Sequence, residues 1–205
     1  MDMLDVQIVA STIMDGADNY PLMAVAFFIL AGELMNKGGI SKRIITFAIA
    51  LVGHIRGGLG YVAVLASLMF SGLSGAAVAD TAAVSSVLIP IMAKAGYDRA
   101  QAAALIASAG IIAPLMPLSV AFIIFGVTAN VSIPKLFMSG IVPSILICIC
   151  LGMVWAYQMR DTDIKVLPRQ SVGKIFREFK NAIWAFILPV IIVGGLRSGI
   201  FTPTE

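Results

Sequence analysis

Apolar runs separated by short polar or glycine-rich gaps order this chain. Pro21 opens the first, Leu22 to Met35, which Asn36-Lys37-Gly38-Gly39 closes. With flanking Tyr20 it is just long enough to span a bilayer. Residues 40–56 are apolar in the centre, basic at both ends, and bracketed by Gly38-Gly39 and Gly57-Gly58. Such a segment either spans or lies along the interface with Lys42, Arg43, His54 and Arg56 among the headgroups. Leu59 to Phe70 has only 12 residues, about 18 Å of helix, too short for a hydrocarbon core of about 30 Å. A turn of small residues follows, then a second apolar arm from Val78 to Ala93. The pair predicts a re-entrant helical hairpin, a backbone tolerated at membrane depth only where protein or a wet cavity surrounds it.

Asp98 is placed to cap the next helix, Arg99 to Ile112, whose alanines allow close helix packing. The run breaks at Ala113-Pro114-Leu115-Met116-Pro117 and resumes from Val120 to Ala129, with Ser119 at its start. Each proline lacks an N–H and clashes with the carbonyl four residues earlier. The break therefore predicts a discontinuous membrane helix with free carbonyls at Gly110 and Ala113. Pro134 to Tyr157 reads as one long span, interrupted in its first half by Gly140 and Pro143. Residues 160–180 read as an aqueous loop carrying an amphipathic helix from Val172 to Phe179, and Ala182 to Gly194 is the last apolar run. Residues 1–19 are short, mixed and acidic. Thr202-Pro203-Thr204-Glu205 forms a capping box with Pro at N1, so a helix is expected to begin where the sequence ends. The chain is thus expected to be truncated at both ends, a fragment or one half of a larger protein.

Composition fixes the class. Hydrophobic residues make up 60% and charged residues 12%, with a mean hydropathy of +0.99. A soluble domain carries roughly twice that charge, so the chain reads as an all-α, polytopic integral membrane protein. The net charge of +3 does not point to nucleic acid, because the basic residues sit in gaps between apolar runs. With residues 160–180 in the cytoplasm and 40–56 lying flat, twelve of the fourteen basic residues fall inside, all but Lys135 and Arg197. That bias favours the interfacial reading of 40–56 and puts the hairpin mouth on the cytoplasmic side. The two cysteines, Cys148 and Cys150, lie within an apolar run and read as buried small residues rather than a disulfide. The N-terminus has no cleavable signal pattern. HExxH, GxSxG, Walker A and cysteine–histidine patterns are missing, so no enzyme activity is expected.

The candidate chemistry sits at the hairpin tip and the broken helix. Asp80 is a carboxylate within an apolar run, a functional position by default. It reads as a cation ligand, a proton carrier or a cap of the second arm. Broken helices present free N–H groups at one end, which suit anions, and free carbonyls at the other, which suit cations. Hydroxyls and carbonyls are hard oxygen ligands fit for Na⁺. The candidates are Ser71, Ser74, Thr81 and Ser119 with the carbonyls of Gly110 and Ala113. Gly72 and Gly75 form the turn, and Pro114 and Pro117 make the break. Backbone bonding of the serines and tight-turn geometry at the glycines are the structural alternatives. Glu33 reads equally as an interfacial carboxylate or as a packing or partner residue, and His54 as an interfacial group.

The stretches PLMAVAFFILAGELMNKGGISKRI and GHIRGGLGYVAVLASLMFSGLSGAAVADTAA, the proline-broken helix and GIFTPTE resemble the large membrane subunit (DctM-like permease) of TRAP transporters, through essentially the whole chain. The resemblance is to the N-terminal half of that subunit without its first span, closest to the sugar-acid (diketogulonate-like) branch. It implies half of an inverted-repeat, elevator-type secondary transporter in the bacterial inner membrane, working as a Na⁺ symporter. The implied substrate is an organic acid: a C4-dicarboxylate, a sugar acid or a sialic acid. The implied partners are a periplasmic substrate-binding protein and a small membrane subunit, and the only implied cofactor is Na⁺ as coupling ion. The organisation implied is a scaffold part over 1–56, a transport part over 57–130, and a long span, basic loop and last span over 131–205. Two positions depart from the family pattern: Ala76 where a serine is usual at the tip, and Leu118 where a proline is common in the break. The rival reading is an incomplete, non-transporting piece that acts only as a membrane scaffold.

Overall fold

A computed structural model describes residues 6–17, 20–72, 75–117, 119–160 and 168–198. Ser74, Leu118 and the Thr202–Glu205 capping box lie outside them. The described residues are helical: α1 (Val6–Ala17), α2 (Tyr20–Lys37), α3 (Ile40–Val52), α4 (Gly58–Ser71), α5 (Ala77–Lys94), α6 (Arg99–Gly110), α7 (Val120–Thr128), α8 (Ile133–Gln158) and α9 (Val172–Ser198), with a 3-10 turn at Ala113–Leu115. By length and composition α5 and α8 can each cross a membrane. A third crossing results if α6, the 3-10 turn and α7 are one span, bent by 41°.

Glycines set several boundaries. Gly39 and Gly57 precede α3 and α4 in the left-handed region, φ +75° and +70°, where residues with a Cβ are strained. α3 has 13 residues, about 20 Å, which is shorter than a hydrocarbon core. It packs against α4 on one side and α9 on another. α4 also falls short of a span, while α5 reaches 18 residues, so the two arms of the hairpin are unequal. Asp98 caps α6 as its position suggests, its Oδ2 accepting the Gln101 N–H at 3.0 Å.

One helix is added to the expected elements and three expectations are corrected. Residues 6–17 are a helix, because VQIVASTIMDGA contains neither proline nor a glycine before its last turn. The amphipathic segment from 172 and the last apolar run form one continuous helix, α9, of 27 residues; Lys180-Asn181 holds no breaker, and the non-helical backbone described within 160–180 is Arg160 and 168–171. α8 runs unbroken past Gly140 and Pro143, and the Ser144 hydroxyl donates to the Gly140 carbonyl at 2.7 Å. Cys148 is half-buried against the core, whereas Cys150 is exposed, on the side of α8 that faces outward with Leu146, Ile149 and Met153. An outward apolar face of this extent on a helix long enough to cross suits lipid rather than water.

The larger core is built by α3, α4, α5 and α6 and closed by the far end of α8. Its centre is Trp155, fully buried, whose indole Nε1 donates to the Gly57 carbonyl at 2.8 Å. A Cβ on Gly60 would collide with the same indole, so glycine lets α4 meet the ring at backbone distance. Tyr97, in the link between α5 and α6, stacks on Trp155 with ring centroids 6.0 Å apart. Burial pushes the Tyr97 phenol above its usual range, partly offset by a hydrogen bond to the Leu59 backbone; it stays neutral at physiological pH. The start of α4, the α5–α6 link and the end of α8 are thereby fastened together.

Gly60→Ala is expected to lower stability by about 1–3 kcal/mol, as overpacking does. Trp155→Phe should lower it by a similar amount, because the fully buried ring loses volume and its hydrogen bond to the Gly57 carbonyl, which keeps only the Gly60 N–H at 2.9 Å. Gly173→Ala, which meets nothing within 4 Å, should stay within about 0.5 kcal/mol of the parent. Thermal unfolding of the detergent-purified protein ranks the three variants.

Candidate functional site at the hairpin turn and the broken helix

α4 and α5 pack side by side, and the turn joining them contains Gly72, Gly75 and Ala76. Gly75 has φ +59° and needs a glycine. Gly72 lies at φ −75°, where any residue fits, so its role is not conformational. Ser71, fully buried at the end of α4, donates its hydroxyl to the Leu68 carbonyl at 2.6 Å. Its hydrogen is therefore committed to its own helix, while its oxygen lone pairs remain available. Ala76 is the N-cap of α5, extended at φ −105° and ψ 94°, and supplies no side-chain cap.

Asp80 and Thr81 leave α5 in different directions. Asp80 is 5% exposed and lies in the first turn of α5, where the positive end of the helix dipole favours a carboxylate. With Ala76, Ala79 and Ala83 it lines a cavity of about 50 Å³, closed on the other side by Glu33 of α2, Ser41 of α3 and Phe70 of α4. Thr81 instead meets α6: a Cβ at Gly110 would collide with its Oγ1. Gly110 is therefore a point of closest approach between α5 and α6, within a wider packing of α6 on α4 and α5.

The break is a tight turn rather than an open gap. The Leu115 N–H reaches the Ile112 carbonyl at 3.1 Å, and the Met116 N–H reaches the Ala113 carbonyl at 3.4 Å. The expected free carbonyl at Ala113 is thus corrected, since contraction to i→i+3 bonding gives it a donor. Pro114 is half-buried in the 3-10 turn and Pro117 is buried just after it. The turn packs against α4, α5, α7 and α8. Gly140 of α8 receives the Leu115 carbonyl so closely that a Cβ there would collide with it. Ser119 caps α7, is fully buried, and its Oγ makes no hydrogen bond. A buried hydroxyl left unpaired at a helix N-terminus is costly and is primed to accept a cation or donate to an anion.

Three residues join the picture from the structure. Ser67, one turn before Ser71 on α4, is buried with an unpaired hydroxyl. Glu33 and Ser41 share the cavity with Asp80. Glu33 carried a legible signal, a carboxylate within an apolar helix. Ser41 and Ser67 carried none, because only tertiary packing buries them. His54 is half-buried in the turn between α3 and α4. Among the described residues no group of three or more His, Cys, Asp or Glu side chains is placed to hold a metal ion.

The chain belongs to the tripartite ATP-independent periplasmic transporter family as its DctM component, whose family model matches residues 1–205. It is 52% identical over 205 residues to the 2,3-diketo-L-gulonate TRAP transporter large permease of Escherichia coli, covering 100% of this chain and 48% of that protein. It is 44% identical over 196 residues to the sialic acid TRAP transporter large permease of Vibrio cholerae, covering 96% of this chain and 46% of that protein. It is 39% identical over 200 residues to the C4-dicarboxylate TRAP transporter large permease of Pseudomonas aeruginosa, covering 98% and 47%. The chain spans about half the length of these relatives. These relatives are named as transporter permeases.

Ala76→Ser should stabilise the protein by about 1 kcal/mol by giving α5 the side-chain cap it lacks. Gly110→Ala should destabilise it by about 1–3 kcal/mol by forcing α5 and α6 apart at Thr81. Denaturation midpoints of the two variants should move in opposite directions from the parent.

Proposed function

We propose that this chain forms part of the large subunit of a secondary transporter in a bacterial inner membrane, importing an organic acid by Na⁺ symport. Family membership along all 205 residues carries the reading. The substrate belongs to the class named for its relatives: a sugar acid, a sialic acid or a C4-dicarboxylate. A periplasmic binding protein delivers it and a small membrane subunit completes the permease. Residues 57–130 form the transport part, 1–56 contribute scaffold, and α4 and α5 act as a re-entrant hairpin within an inverted repeat that works as an elevator.

In this reading the region between the hairpin turn and the broken helix binds the coupling ion and lies beside the substrate. Ser119 supports the assignment, since its buried hydroxyl has no protein partner to give up on binding. The lone pairs of Ser71, the tip residues Gly72, Ser74 and Gly75, Thr81, and the backbone from Gly110 through Ala113 and Pro114 to Pro117 supply further oxygens or shape. A cation held between the two elements ties the hairpin to the broken helix, and an organic carboxylate is favoured by the N–H groups that open α7. Asp80 contributes negative charge from the neighbouring cavity, where it favours cation entry without contacting the carboxylate.

The test is uptake of a labelled organic acid into proteoliposomes that hold the complete permease and its binding protein. Uptake is expected only under an inward Na⁺ gradient. Asp80→Asn and Ser119→Ala should each reduce it by about tenfold or more, with thermal stability retained. Uptake driven equally well by a K⁺ gradient would overturn the coupling, and a fully active Ser119→Ala would remove the break from the site.

A further inference from the structure

α9 is amphipathic in three strips over its first three turns. Ile175 is half-buried and Ala182 buried, and Phe179 meets Phe47 of α3 with ring centroids 5.6 Å apart. This is the strip that packs. Beside it, Val172, Phe176 and Ile183 share a second strip at i, i+4 and i+11, and all three are exposed, Val172 at 81% and Phe176 at 68%. The third strip carries Lys174, Arg177 and Lys180, all exposed. Glu178 is the single carboxylate between residues 168 and 198, and it is half-buried toward the packed side.

α3 adds a matching edge. Its buried face is Ser41, Ile44, Ile45 and Ala48, and its opposite face exposes Lys42, Arg43 and Thr46. No acidic residue occurs from 40 to 56. The ring contact sets α3 and α9 side by side, with Arg43 one turn before Phe47 and Lys180 next to Phe179 in the chain. Exposed large apolar side chains beside a basic strip fit neither bulk water nor the bilayer centre; they fit the boundary between headgroups and acyl chains.

We propose that this α3–α9 corner seats anionic phospholipid. The phosphodiester lies on Lys174, Arg177 and Lys180 with Lys42 and Arg43 at its edge. An acyl chain runs along Val172, Phe176 and Ile183. Charge complementarity selects the anionic headgroup, and the apolar strip selects a lipid over a soluble phosphate. The seat lies away from the hairpin turn and holds whatever the transported substrate is.

The experiment uses the full-length permease purified in mild detergent. Its melting temperature is followed on titration with phosphatidylglycerol, phosphatidylcholine, or glycerol phosphate alone, and bound lipid is counted by native mass spectrometry. Phosphatidylglycerol should stabilise the parent and phosphatidylcholine should not. Each basic residue near an anionic surface contributes roughly fivefold in affinity. The variant Lys174→Gln, Arg177→Gln, Lys180→Gln should therefore lose the preference by on the order of 100-fold. The charge-preserving variant Lys174→Arg, Arg177→Lys, Lys180→Arg should keep it. Raising salt should weaken the effect in the parent. Equal stabilisation by the two lipids, an unchanged preference in the glutamine variant, or equal stabilisation by glycerol phosphate would each overturn the proposal.

Discussion

A single buried hydrogen bond, from the Trp155 indole to the Gly57 carbonyl, fixes the geometry on which the rest depends. Gly57 takes a left-handed backbone, which aims its carbonyl at the ring, and Gly60 leaves room for the ring to arrive. The Gly57 carbonyl also accepts the Gly60 N–H at 2.9 Å, whereas the indole N–H is buried away from water, so losing the bond is expensive on the Trp155 side. Through it the far end of α8 is held to the base of α4, and Tyr97 extends the hold to the link between α5 and α6. The near end of α8 is positioned differently: Gly140 lies under the Leu115 carbonyl. One long helix thus supports both the base of the hairpin and the break in its neighbour.

That support explains how α4 and α5 come to pack against α6 and the 3-10 turn of the break. α5 turns Thr81 toward Gly110 and Asp80 toward α2 and α3. Adjacent residues on a helix point about 100° apart, so one short stretch serves two environments. The contact with α6 is dry and close-packed, whereas the Asp80 side opens on a cavity. Asp80 therefore lies on the cavity side of α5, and Thr81 on the side of α6.

Much of this was legible in the chain. Glycine pairs marked the ends of α2, α3 and the start of α4, Asp98 marked α6, and the prolines marked the break, because each is a local backbone effect that needs no partner. Family membership was legible from the hairpin and FILAGELM stretches. Distances across the fold were not. Trp155 read as one more apolar residue of a span, Gly140 as an interruption rather than a close approach, and Ser41 and Ser67 as unremarkable serines. The continuity of α9 was missed because its polarity changes near Ala182, and a change of surroundings resembles an end of structure.

The bond between Trp155 and Gly57 joins residues 98 apart in sequence. At about 5–20 residues per second, a ribosome needs roughly 5–20 s to travel that distance. The hairpin is complete once Lys94 is added, and its fastening follows 61 residues later. The nascent chain must hold a glycine-rich helix start, a buried carbonyl and two short arms in place before the residue that secures them exists. The timetable of synthesis therefore makes α8 the last piece of this core to arrive and the one that closes it.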